Sequence, residues 1–426
     1  MTALTLASRP QVARWAQSRR ALWTAFAAVH VWLAFVGIVL IPSRAFYDLV
    51  LYQYWVATGL GGGPWPVLDG PWVYPVGALL PMLVPALAGL SSVAAYALGW
   101  SVLVTALDAV AVWALARRGS ARGAWWWIAF GLLLGPVAMG RLDAIIAPMM
   151  ILALLAAARR PRVAAVLITL GAWMKISPGV VILPLLMTAR QPVRNVVAPA
   201  GLVCAAVVAV VAGGGGLRWL TSFLSTQGTR GLQVEAVAAT PWTIAGLWRD
   251  DIAIRLNGRL ITWEISGPGT ATTARALDAL LPLAILGIAV LLWRARSRPV
   301  DALLWGALAL ATVLIVVNKV GSPQYIGWLA PPIAVALAAH RTPPDGLPSR
   351  GLGAIGWIAA VVLVMAGLTQ IIFPLAYLPL LHGEPAITVV LALRNLALVG
   401  VLGAVCVCLA RKIPVVPDPS LAVRGR

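Results

Sequence analysis

The chain has 426 residues, of which 61% are hydrophobic and 11% charged, with a mean hydropathy of +0.92. That composition excludes a soluble globule, because repeated apolar stretches of bilayer-spanning length need lipid as their solvent. The net charge of +19 does not mark a nucleic-acid binder: the cations form short clusters at the ends of apolar stretches, with no folded basic module to present them.

In chain order, residues 1–20, with Arg9, Arg14, Arg19 and Arg20, read as a cytoplasmic start. The first apolar stretch, 21–41, reads as a retained signal anchor, because Ile41-Pro42-Ser43-Arg44 is a poor cleavage site. An outer loop, 42–91, follows and is rich in Tyr, Trp and Gly. Its apolar part, 75–90, is interrupted by Pro75, Pro81 and Pro85 and reads as an interfacial or re-entrant helix on the outer face.

Further helices are expected near 92–116, 124–138, 143–158, 163–175, 179–190 and 195–213, then 275–293, 301–317, 325–340, 352–372 and 386–410. Arginine clusters separate them: Arg117, Arg118 and Arg122; Arg159, Arg160 and Arg162; Arg190 and Arg194; Arg294, Arg296 and Arg298; and 341–350. Under the positive-inside rule these loops are cytoplasmic, as is the tail 411–426. Three of the stretches, 124–138, 163–175 and 179–190, fall short of the ~20 residues of a full crossing and read as broken helices lining a cavity. The second outer segment, 214–273, follows Gly213 to Gly216, carries Trp219, Trp242, Trp248 and Trp263, and is expected to cap the membrane face. The fold class is therefore all-α and polytopic, a membrane domain over 21–410 with about twelve helices and a range of roughly ten to thirteen.

Polar side chains are costly at a membrane edge and tend to be kept there for function. Asp48 stands out, being one of only 13 acids and placed just past the first apolar helix. Other candidates fall at the same expected edge: Tyr47; Arg141 and Asp143 in Gly140-Arg141-Leu142-Asp143; Lys175 before Ile176-Ser177-Pro178; and Asn318-Lys319-Val320-Gly321-Ser322-Pro323-Gln324-Tyr325. A carboxylate facing cations suits a site that removes a proton at one point and holds an anionic leaving group at another. Each also has a plainer reading. Asp48 can pair with Arg44, Arg141 with Asp143, Lys175 can snorkel to the interface, and the Lys319 stretch can cap a helix starting at Pro323.

Asp69 is a second candidate base, while Asp250 and Asp251 read as exposed loop acids. Asp108 and Arg394 lie inside spans and are expected to pair with neighbouring helices. Other chemistries find little support. His30, His340 and His382 are isolated, Cys204, Cys406 and Cys408 lie in apolar helices, and no GxxxxGK[ST] run is present.

With these residues in view, the chain resembles the GT-C fold glycosyltransferases, specifically the actinobacterial family 87 group that uses polyprenyl-phosphate-mannose. The resemblance covers most of the chain and is carried by Phe46-Tyr47-Asp48, Trp72-Val73-Tyr74-Pro75, Gly140 to Asp143, and the stretch from Leu170 to Leu186 containing Lys175-Ile176-Ser177-Pro178. It implies a lipid-linked sugar donor, a glycolipid or glycan acceptor on the outer face, and an inverting transfer. Asp48 would be the general base, and Lys175, Lys319 and Arg141 would hold the departing phosphate. Tyr47, Tyr74, Asp143, Ser322, Gln324 and Tyr325 would contact substrate. No cofactor is implied and a divalent metal is not obligatory. Many members carry a histidine where this chain has Ser322-Pro323-Gln324-Tyr325, which leaves the sugar open between mannose and arabinofuranose. A polytopic transporter or lipid flippase, and a non-catalytic subunit of an envelope-assembly complex, are the alternatives from other classes.

Overall fold

The computed structural model describes residues 18–117, 121–228, 230–258, 260–339 and 353–411. Most of the expected N-terminal segment, the 341–350 cluster and nearly all of the tail lie outside these residues.

Every expected apolar stretch is helical. Helix α1 (Arg19–Phe35) continues as a wider π turn to Leu40, and the Oγ of Ser18 caps its first turn by accepting from the Ala21 N–H. After α2 (Tyr47–Leu60) come α3 (Val93–Ala116), α4 (Arg122–Leu134), α5 (Asp143–Ala156) and α6 (Pro161–Met174). Then follow α7 (Ile182–Thr188), α8 (Ala198–Gly213), α9 (Thr270–Ala295) and α10 (Pro299–Val316). The last three are α11 (Ala330–Ala339), α12 (Ile355–Gln370) and α13 (Pro385–Ala410). Helices α6, α10 and α13 begin on a proline, whose fixed φ and missing N–H suit a first turn.

Among the described residues, seven helices are long and apolar enough to cross a membrane, so the chain is an all-α, multi-pass membrane protein. The shorter ones, α5, α6, α7 and α11, sit inside the bundle or line its clefts. α10 packs against α9, α11 and α13, α5 against α3, α6 and α11, and α4 against α11 and α12. In α10, 78% of the membrane-length window is buried, against 11% for the segment containing α8. Thus α10 is a central post and α8 a peripheral helix whose apolar side chains face outward.

The segment 42–91 is more ordered than a loop. It contains α2, which sequence reading missed because Tyr47–Leu60 is apolar on nearly every side and gives no clear helical stripe. The proline-interrupted part is three short helical pieces over Val76–Ala88, with Leu80 and Leu87 pointing outward. The cap segment includes two short helices and a two-stranded antiparallel hairpin, β1 (Ala253–Asn257) and β2 (Thr262–Ser266). It lies against the segment 42–91: the Trp72 N–H donates to Ser222 Oγ at 2.9 Å.

Candidate functional site

The site forms where four chain breaks converge: the start of α2, the turn between α4 and α5, the end of α6, and the turn between α10 and α11. Asp48 lies in the first turn of α2, where the helix dipole favours a carboxylate. Facing it is the turn at Gly140, so close to Ala45 and Phe46 that a Cβ there would collide with the Phe46 ring. This approach brings the next residue, Arg141, into an ion pair with Asp48. The aspartate side chain is 20% exposed and the arginine 9%. Burial is the largest influence and lowers the Arg141 pKa, but the charge and hydrogen bond of Asp48, together with Tyr52 and Tyr74, outweigh it and the net shift is upward. The Arg141 guanidinium also stands over the Phe373 ring at 5.6 Å, and its Nε has no hydrogen-bond partner.

A second pair lies beside the first. α6 stops at Lys175, which is extended, ahead of Ile176-Ser177-Pro178. Its Nζ lies 2.7 Å from Asp143 Oδ2, and Asp143 Oδ1 accepts from Trp328 Nε1 at 2.6 Å. The ammonium also sits 5.2 Å from the Tyr325 ring and 5.5 Å from Trp328, and the two rings stack at 4.1 Å. Tyr325 and Trp328 are three residues apart on a 3-10 turn, Pro323–Leu329, whose period places them one above the other. Arg141 and Asp143 therefore do not pair with each other. Each takes a partner from a different element.

Tyr74 links the two pairs, since the charges of both Asp48 and Lys175 act on its hydroxyl. Burial first, and then Asp48, push its pKa up to about 12, so it is a neutral hydrogen-bonding group. It belongs to an aromatic wall with Tyr52, Trp55 and Trp72, all with ring centroids within 6.3 Å of its own. Tyr52 bonds to Tyr74, and its hydroxyl accepts from the Leu142 N–H at 3.3 Å, fixing the Arg141 turn from behind.

The other expected residues are placed differently. Lys319 is 5% exposed; its Nζ donates to Asp278 Oδ2 at 2.8 Å and to the Gly228 carbonyl at 3.0 Å. Its ammonium is engaged with the cap and α9, and no bond joins it to Lys175 or Arg141 among the described residues. Ser322 Oγ donates to Gln324 Oε1 at 2.7 Å, and Gln324 lines a cleft shared with Asp143. Tyr47 is 44% exposed. Asp69 accepts from the Trp65 N–H at 2.7 Å and shapes its own loop.

Asp108 and Arg394, the two ions expected to pair inside spans, both find partners. Asp108 lies 3.0 Å from His30 Nε2 on α1, a neighbouring helix as expected, and accepts from Trp127 Nε1 at 3.3 Å. Arg394 instead reaches the cap: its Nη2 donates to the Glu235 carbonyl at 2.9 Å and to Asn395 Oδ1 at 2.8 Å. The Glu235 carboxylate is 3.5 Å from Arg394 Nη1 and close enough to Arg141 for their charges to interact. Burial raises its pKa against the opposing pull of Arg394 and Arg141.

Sequence reading missed Tyr52, Glu235 and Trp328. The spacing of Trp328 from Tyr325 was a usable signal, given the Ser-Pro start of a tight helix. Glu235 sits in an irregular segment whose pattern carries no comparable mark.

Two clefts meet at Asp143 and Gly327. One runs back to His30 and Asp108. The other holds about 480 Å³ of open space. It is walled by apolar side chains such as Ile146, Met150, Leu154, Val181 and Leu314, with Ser177 and Trp328 near its polar end.

An ion-paired carboxylate, a lysine one tyrosine away and an apolar groove lined at one end by Asp143, the partner of that lysine, can serve group transfer between an amphiphile and a hydroxyl. The model of glycosyltransferase family 87 matches residues 72–318, more than half of the chain, which includes Tyr74, Arg141, Asp143 and Lys175 and stops short of Asp48 at one end and Lys319 at the other. Neither a curated protein nor a solved structure matches the chain. With a family match of that extent laid over a multi-pass helical bundle, the chain belongs to glycosyltransferase family 87 and is a membrane glycosyltransferase.

Proposed function

We propose that the enzyme moves a sugar, mannose in the first instance, from a polyprenyl phosphate to a hydroxyl of a cell-envelope glycolipid or glycan on the outer face of the plasma membrane. The observation that carries this reading is the arrangement of two ion pairs, Asp48 with Arg141 and Lys175 with Asp143, whose Asp48 and Lys175 charges both act on Tyr74, beside an apolar groove that Asp143 helps to line. A prenyl chain suits such a groove, and a phosphate at its mouth would meet Lys175.

In the proposed step Asp48 takes the proton of the acceptor hydroxyl as that oxygen forms its bond to the anomeric carbon. The bond from that carbon to the phosphate oxygen breaks, and the electron pair leaves with polyprenyl phosphate. Attack opposite the leaving group inverts the anomeric configuration. Lys175 stabilises the charge that develops on the phosphate, more strongly than it would in water because the surroundings are poorly solvated. Arg141, expected from the family resemblance to bind phosphate, acts in this reading by pairing with Asp48 and orienting it. Tyr74 and Gln324 offer hydroxyl and amide groups to the sugar.

The orientation follows from the cation clusters: loops such as 159–162 and 294–298 lie in the cytoplasm and the cap lies outside. Since each site carboxylate already has a cationic partner, fixed side chains supply the charge stabilisation and transfer is expected to persist in EDTA.

The test is a donor panel with purified enzyme and extracted envelope lipids. Polyprenyl-phosphate-mannose should support transfer, with and without EDTA, and polyprenyl-phosphate-arabinose should support little. Equal transfer from a nucleotide sugar without lipid donor would contradict the reading, and preference for the arabinose donor would reassign the sugar.

A further inference from the structure

We infer that Arg230, carried by the cap, is the second cation of the donor-phosphate site, in the role that sequence resemblance gives to Lys319. This rests on the polyprenyl-phosphate reading above and names a residue within it.

The stretch around Arg230 is fastened on both sides. Before it, the Gly228 carbonyl accepts from Lys319 Nζ at 3.0 Å. After it, the Gln233 N–H donates to the Lys319 carbonyl at 2.9 Å, and the Gly321 N–H donates to Gln233 Oε1 at 3.2 Å. Gly321 lies so tightly under the chain that a Cβ would collide with the Glu235 and Ala236 backbone. Arg394 then grips the Glu235 carbonyl. Lys319 thus spends its charge on Asp278 and its remaining contacts on the cap, and its observed work is to seat this stretch.

Arg230 is held between those fastenings, and among the described residues no carboxylate forms an ion pair with it. Its Nε is buried and makes no hydrogen bond. The nearby acid, Glu264 on β2, directs Oε1 to the Gly231 N–H at 3.1 Å, to Asn257 Nδ2 at 3.2 Å and to Thr262 Oγ1 at 3.2 Å. Leaving a buried donor unmade is costly, which makes such a group a candidate for a ligand. Its charge acts on the hydroxyl of Tyr325, the same tyrosine whose ring faces Lys175 at 5.2 Å. The two cations therefore converge on Tyr325 from α6 and from the cap. A guanidinium offers a planar fork to two phosphate oxygens, which a lysine ammonium cannot do. Asp143 does not defeat anion binding there, because Lys175 and Trp328 already take its two oxygens.

The test measures binding of undecaprenyl phosphate and of undecaprenol to the purified full chain in detergent. Wild type should prefer the phosphate. Arg230→Gln should weaken phosphate binding by about tenfold or more, the usual scale of one charged hydrogen bond, and leave undecaprenol unchanged. Arg255→Gln, in the exposed strand of the cap hairpin, should change neither. Should the glutamine variant fail to fold, Arg230→Lys keeps the charge and loses the fork, and a several-fold loss of phosphate binding is expected. Phosphate preference retained in full by an Arg230 variant overturns the assignment while the donor reading stands. Wild type that binds the alcohol and the phosphate alike overturns the donor reading itself.

Discussion

Replacing Asp48 by Asn is expected to cut sugar transfer by about 10²–10⁴-fold, the range that general-base catalysis contributes. The fold should tolerate the change. Asparagine has the same shape, and its carbonyl oxygen can still accept from Arg141, whose side chain is 9% exposed. What is lost is the negative charge and the capacity to receive a proton. Binding of donor should change little, because the phosphate is assigned to another part of the pocket. Saturation curves for donor and acceptor, with thermal unfolding in the same detergent, check the split. A rate within threefold of wild type would remove Asp48 as base. A fallen rate accompanied by a large drop in melting temperature would point to a structural role for the Asp48–Arg141 pair.

Lys175→Ala has the second large effect, and it acts on stability as well as on catalysis. Asp143, with a side chain 9% exposed, would keep only the Trp328 N–H. Stranding one member of a buried ion pair costs about 3–5 kcal/mol. Removing both charges in Lys175→Met/Asp143→Leu should recover most of that loss, since a buried pair replaced by apolar side chains of similar size is often near neutral. Activity should not recover, because the phosphate would still lack its cation. Thermal unfolding and donor saturation on the single and double variants separate the two roles. A double variant that regains donor use would show that Lys175 serves only to pair with Asp143.

How much of this was legible in the chain differs from element to element. The long spans were, because a stretch such as 385–410 must be helical to satisfy its backbone in lipid. The broken helices were also visible, through their length and through Ser177-Pro178. Helix α2 was not, as it is apolar around its circumference and precedes three glycines that suggest a loop. Asp48 and Lys175 could be nominated because charged side chains at a membrane edge are scarce, and Tyr74 through the family resemblance alone. Their partners could not. Whether Arg141 turns to Asp143 or to Asp48 depends on Gly140 packing against Phe46, a contact between residues almost a hundred apart. Lys319 was given to the departing phosphate by the family resemblance, whereas the folded chain engages it with Asp278 and the cap. Arg230 and Glu235 needed the cap's path, and an irregular segment does not advertise its path in sequence.

The most direct test is a structure of the enzyme with its expected product, undecaprenyl phosphate. The phosphate should sit within about 3 Å of Lys175 Nζ, the reach of a charge-assisted hydrogen bond, with the prenyl chain running past Met150 and Leu154 and with Asp48 across Tyr74 facing open space for an acceptor. A phosphate lodged instead against His30 and Asp108, or a prenyl chain that leaves the Met150 groove empty, would contradict it.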